Sequence, residues 1–108
     1  MNLLEYYVLL ALSAGPRHGY AIKDAVAADS GGTERPRAGN LYRVIARLIT
    51  AGWVRESSAA DAAPSPGVPR RYYALSASGR RALAEQTVRL KDAARSAEKR
   101  LRDIPGRS

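Results

Sequence analysis

Apolar residues recur along the chain with two different periods, and the switch between them divides it into elements. Leu3, Leu4, Tyr7, Val8, Ala11 and Leu12 fall at the three- and four-residue spacing of one helical face. Gly15-Pro16 ends that helix, because glycine suits the left-handed position past a helix end and proline cannot continue it. A second helix is predicted from about Gly19 to Asp29, with Ile22, Ala25 and Val26 facing inward and Ser30-Gly31-Gly32 as its stop. After a polar turn containing Pro36, a third helix runs from about Ala38 to Ala51 and closes at Gly52. Its pattern is the sharpest in the chain. At about 100° per residue, Leu41, Val44, Ile45, Leu48 and Ile49 fill one arc suited to a core. Asn40, Tyr42, Arg43, Ala46 and Arg47 fill the opposite arc, which carries no acid.

The period then changes. Trp53-Val54-Arg55-Glu56 reads as a short strand, and Arg70-Arg71-Tyr72-Tyr73-Ala74-Leu75 returns as a second. Between them, Ser57 to Pro69 is rich in Ala, Ser and Pro and nearly uncharged, the composition of a loop. Ser76 is placed to cap a final helix reaching about Asp103. Within it Leu83, Thr87, Leu90, Ala94, Ala97, Leu101 and Ile104 are spaced alternately by four and three, an a/d seam of coiled-coil type. So long and narrow a stripe predicts pairing with a second copy, with Ala94 and Ala97 allowing close approach and Thr87 weakening the seam. The competing reading packs the stripe on the chain's own domain. The expected fold class is therefore mainly α with a small β-hairpin. Residues 1–75 form a winged helix-turn-helix, and residues 76–108 a C-terminal dimerisation helix.

Length and composition narrow the classes further. A chain of 108 residues holds one modest core. No apolar run approaches the roughly 20 residues of a membrane span. The start lacks the basic region and cleavage site of a secretory signal, so a cytoplasmic protein is expected. With no cysteine and a single histidine, no thiolate or clustered metal site is expected and no cofactor is implied. Acids are scattered singly, and no nucleophile–base or carboxylate pair is visible, so the chain does not read as an enzyme. Lys and Arg total 18 against 10 Asp and Glu, a net charge of +8 that favours a polyanionic partner. Arg-rich codon usage would raise the same total without any such partner. Position decides between them, and the acid-free arc of the third helix puts the charge where a partner would meet it.

Three blocks of sequence carry a resemblance. Leu9-Leu10-Ala11-Leu12 precedes Gly15-Pro16-Arg17-His18-Gly19-Tyr20. Gly39-Asn40-Leu41-Tyr42-Arg43-Val44-Ile45-Ala46-Arg47-Leu48 leads to Gly52-Trp53-Val54. Arg70-Arg71-Tyr72-Tyr73-Ala74-Leu75 runs into Ser76-Ala77-Ser78-Gly79-Arg80. In this order and spacing the blocks resemble the PadR family of transcriptional regulators, in its shorter subfamily with one terminal helix. Each block alone is weakly specific. The resemblance implies a homodimer bound to double-stranded operator DNA, acting as a repressor released by a small-molecule effector. Similar short regulators bind planar drugs in an aromatic pocket at the dimer centre. Here the terminal seam has no aromatic residue, and a pocket would borrow Tyr6, Tyr7 and Trp53. The family usually has a small hydroxyl residue at the start of the third helix and Thr before its Leu-Tyr pair. Arg37 and Asn40 stand there instead. An arginine cannot accept the backbone N–H bonds that a capping serine would.

In a helix-turn-helix the third helix enters the major groove, its N-terminal residues nearest the base edges. Arg43 and Arg47, one turn apart, can each bond guanine O6 and N7, and Asn40 can bond adenine in the same bidentate way. Arg37 suits a base edge or a phosphate. The resemblance implies a phosphate contact for the Tyr20 hydroxyl, with Lys23 beside it; a half-buried packing role is the alternative. Tyr42 is divided in the same way between groove and core. Arg70 and Arg71, where the wing rejoins the second strand, suit the minor groove or a phosphate. Tyr72, Tyr73 and Trp53 read as packing residues, and His18 as a structural residue at a helix start. The expected operator is pseudo-palindromic, with half-sites roughly 34 Å apart. The rival reading is a basic winged-helix module that binds RNA or a protein partner.

Overall fold

A computed structural model describes residues 1–57 and 71–103. Their elements are α1 (Leu3–Leu12), β1 (Arg17–His18), α2 (Gly19–Asp29), α3 (Ala38–Thr50), β2 (Val54–Ser57), β3 (Tyr72–Leu75) and α4 (Ala77–Arg102). The four helices start where local chemistry satisfies their first N–H groups, with one exception. Asn2 and Glu5 form a reciprocal capping box on α1. His18 Nδ1 accepts the Ala21 N–H at 3.2 Å and caps α2, so the histidine has the structural role expected of it. Ser76 accepts the Gly79 N–H at 3.0 Å and caps α4. Only Arg37, at the start of α3, makes no side-chain cap.

The sheet is larger than a hairpin. β1 and β2 flank β3 in an antiparallel three-stranded sheet, with Arg17 opposite Tyr73, His18 opposite Tyr72, and Val54 opposite Leu75. β3 is the central strand, and all four of its residues are buried. This overrides the half-exposed alternation that its Tyr and Leu positions suggest, because β1 and β2 flank both edges of β3 and α1 and α4 pack against it. The His18 ring meets Tyr72 edge-to-face at 5.8 Å, tying the start of α2 to the sheet.

Val8, Leu9 and Leu12 of α1, Ile22 and Val26 of α2, and Leu41, Val44, Ile45 and Leu48 of α3 form the centre of the core. Two expected inward residues lie elsewhere. Ile49, at the edge of the apolar arc of α3, is 39% exposed, and Leu3 is 53% exposed in the first turn of α1. Leu9 takes the inward place in α1, because the whole run from Leu9 to Leu12 is apolar and its periodicity does not single out a face. Trp53 packs half-buried against the core.

The first turns of α4 are built into this body. Ser76 N–H donates to the Trp53 carbonyl at 3.0 Å, and the Ser76 and Ser78 hydroxyls both donate to the Gly52 carbonyl. Leu83 is buried in the chain's own core, so this first residue of the expected pairing seam packs intramolecularly. Thr87 bonds the Tyr6 hydroxyl at 2.8 Å and also donates to the Leu83 carbonyl, which fixes α4 against α1. Beyond it Leu90 is half-buried, whereas Ala94, Ala97 and Leu101 are exposed. At 26 residues, α4 is about 39 Å long, and its C-terminal half, exposed at every position past Leu90, overhangs the body. Ile104, the last expected seam position, lies outside the described residues, as do Arg70 and the loop from residue 58. No helix among the described residues is long and apolar enough to cross a membrane.

Candidate nucleic-acid interface

The outer face of α3 follows from its inner one. Because Leu41, Val44, Ile45 and Leu48 are held in the core, the helix is locked in rotation, and Asn40, Tyr42, Arg43, Ala46 and Arg47 must face outward. All five are exposed. Arg37 is exposed too, at the uncapped start of the helix, where its side chain is available to an external partner and not to the backbone. Among the described residues no carboxylate pairs with Arg37, Asn40 or Arg43.

The start of α2 adds to this surface. Tyr20 is 69% exposed, which removes the half-buried packing role and leaves its hydroxyl facing solvent. Lys23 Nζ lies 5.7 Å from the centre of the Tyr20 ring, within cation–π range, so the two side chains form one unit. Tyr42 crosses from α3 to α2. Its ring lies over Gly19, and a Cβ on that glycine would overlap the Tyr42 hydroxyl and stand 2.8 Å from Cζ. Gly19 therefore leaves room for the Tyr42 ring against the start of α2. A small hollow between them is lined by Gly19, Tyr20, Lys23, Ala38, Leu41 and Tyr42.

On the wing side, Arg71 is 80% exposed and pairs with Glu56 of β2 at 3.5 Å. Both partners are solvated, and such a pair adds at most about 1 kcal/mol to stability. Burial pushes the Tyr73 phenol above its usual range. The nearby Tyr42 adds to the rise, and the Arg71 guanidinium opposes it. Tyr73 and Tyr72 are buried packing residues, as expected of them.

One expectation about α3 changes. No acid lies on its own outer arc, but tertiary packing brings one. Glu5 of α1 places its carboxylate 3.6 Å from Arg47 Nε. The Asn2-x-x-Glu5 pattern in the sequence signals a helix start. Nothing in it signals a partner on α3. Arg43 and Arg47 are thus unequal: among the described residues Arg43 has no ion-pair partner, whereas Arg47 is paired with Glu5.

The sequence model of the Transcriptional regulator PadR-like family matches residues 8–85. No curated protein matches the chain at a significant level. Among solved structures, it is similar to a PadR family transcription regulator from Clostridium difficile, with a TM-score of 0.75 and 18% identity over 93% of this chain and 99% of that one. It is similar also to a PadR family transcriptional regulator from Eggerthella lenta, with a TM-score of 0.68 and 27% identity over 90% of this chain and 82% of that one. Bacillus subtilis PadR, solved in complex with operator DNA, superposes with a TM-score of 0.66 and 20% identity. That match spans 81% of this chain and 48% of the longer one. With the helix order, the three-stranded sheet, the overhanging α4 and a family match over most of its length, the chain belongs to the PadR-like family of transcriptional regulators.

Proposed function

We propose that this protein is a regulator that reads operator DNA with α3 and contacts the phosphate backbone with the start of α2. The observation that carries the reading is the exposed row Asn40, Arg43 and Arg47 on a helix whose rotation is locked by four buried residues. Asparagine and arginine are the side chains whose paired bonds fit adenine and guanine edges in the major groove. Arg37 and the Tyr20–Lys23 unit flank that row, where phosphates would run, and Arg71 stands on the wing. Such flanking contacts fix register and carry no sequence information.

The same reading makes the protein a homodimer. Leu90, half-buried, and the exposed Ala94, Ala97 and Leu101 continue the a/d spacing after Leu83 and Thr87, and a second copy is the partner that would cover them. A two-fold dimer presents two copies of α3, so the operator is pseudo-palindromic with half-sites roughly 34 Å apart. Its regulatory action is repression by occlusion of a promoter, relieved by a small molecule that spreads the paired helices. Tyr6, Tyr7 and Trp53, half-buried against the core, are the aromatic residues nearest to hand for such a molecule.

The test is binding to the DNA upstream of the protein's own coding sequence, with unrelated DNA of equal length as competitor and at several salt concentrations. Binding that survives competitor at physiological salt, and is lost in an Asn40→Ala/Arg43→Ala variant, supports the reading. Equal affinity for both DNAs, vanishing as salt rises, would reduce the protein to a nonspecific basic module.

A further inference from the structure

Glu5 does not merely neutralise Arg47. Its carboxylate is fixed before it meets the arginine: Oε1 accepts the Asn2 N–H at 2.8 Å, and the Glu5 N–H in turn donates to Asn2 Oδ1 at 2.8 Å. The other oxygen, Oε2, faces Arg47 Nε at 3.6 Å. The Glu5 side chain is only 16% exposed, while that of Arg47 is 54% exposed. A shielded, immobilised carboxylate is costly to leave unpaired, more so beside the negative charge of a phosphate. Arg47 therefore keeps this partner when a polyanion approaches.

A guanidinium has five N–H donors in a rigid plane. With its Nε side turned to Glu5, Arg47 still has the terminal Nη1/Nη2 edge, the edge that can make two parallel bonds. Spacings of three and four residues put Asn40, Arg43 and Arg47 in one stripe about 10 Å long on α3. The pair of charges sums to zero, so Arg47 offers geometry where Arg43 offers charge. We propose that Glu5 is a positioning residue that makes Arg47 a reader of a base edge, guanine by its donor pattern, and not a phosphate clamp. This inference rests on the operator-binding function proposed above.

The experiment selects preferred sites from duplexes with a randomised centre, using the full-length wild type, Glu5→Gln and the charge-neutral double variant Glu5→Gln/Arg47→Ala. Glutamine keeps the reciprocal cap, since Glu and Gln serve equally at that position, and circular dichroism checks that both variants are folded. The wild type should yield a two-fold motif. Both variants should lose preference at the same symmetric G·C pair, by about tenfold or more, and keep it elsewhere. The slope of log affinity against log salt should steepen by about two in Glu5→Gln, as the released arginine of each protomer reaches a phosphate, and stay at the wild-type value in the double variant. A wild-type motif that Glu5→Gln reproduces unchanged overturns the inference and leaves the function standing. The absence of any motif from the wild type overturns both.

Discussion

Gly79→Ala is expected to unseat α4 from the body, although alanine is the better helix former. Gly79 lies in the first turn of α4, directly above the Trp53 carbonyl. A Cβ there would overlap the carbonyl oxygen and stand 2.8 Å from the carbonyl carbon. Both sides of the contact are backbone, so no side-chain rotation relieves it. The helix would have to retreat on the order of 1 Å to restore ordinary contact. That retreat pulls on three bonds: Ser76 N–H to the Trp53 carbonyl, and the Ser76 and Ser78 hydroxyls to the Gly52 carbonyl. Overpacking of this kind costs about 1–3 kcal/mol. Weakening the bonds adds roughly 1–2 kcal/mol, and the gain in helix propensity returns at most about 1 kcal/mol. The expected net loss is about 2–4 kcal/mol, a fall in Tm on the order of 10 °C or more for a domain of this size. Gly39→Ala is the matched control. It sits in the first turn of α3 with nothing within 4 Å of the new methyl group, so its stability should be unchanged or raised by up to about 1 kcal/mol. Thermal melts followed by circular dichroism, at matched protein concentration because pairing of copies would shift Tm, measure both. Gly79→Ala melting at or above Gly39→Ala would refute the close-contact argument.

Three further outcomes are expected. His18→Ala should cost about 1 kcal/mol for the lost cap on α2 and about 0.5–1.5 kcal/mol more for the lost ring contact with Tyr72, and His18→Asn should recover only the first part, as read from urea unfolding of the three proteins. Burial raises the Tyr73 phenol above the usual value of 10.0. The folded state therefore holds that proton more tightly than the unfolded chain, a stabilisation complete below about pH 10 and lost as pH rises through the folded-state value. Unfolding free energy should fall as pH rises above about 10, less steeply in Tyr73→Phe; identical slopes would show that Tyr73 is not the group responsible. Replacing Leu90 and Leu101 with Lys should give folded monomers in light scattering, since Leu101 is 71% exposed and Leu90 is outside the buried core. A double variant that stays dimeric would remove the proposed seam.

Locally encoded features of the protein were legible in its sequence. The bounds of α2 follow from Gly19 and the Ser30-Gly31-Gly32 stop. The outward row of α3 follows from the 3.6-residue period, and the start of α4 from Ser76. Each depends on neighbours within one or two turns, which a linear pattern records. The family resemblance rested on residues of this kind joined to glycines whose purpose the pattern did not explain. Tertiary structure explains two of them: Gly19 makes room for Tyr42 of the next helix, and Gly79 for the Trp53 backbone. It also decides what no periodicity announces. β1 is two residues long and exists only through its pairing with Tyr72 and Tyr73. Leu83 belongs to the seam by spacing but to the core by position. Glu5, an ordinary first-turn acid in sequence, becomes the partner of Arg47 because α1 and α3 pack side by side. The chain's own pattern therefore determined which surface faces outward. Only the packing of distant segments determined which of its arginines is paired with Glu5, because charge pairing depends on distance in space and not along the chain.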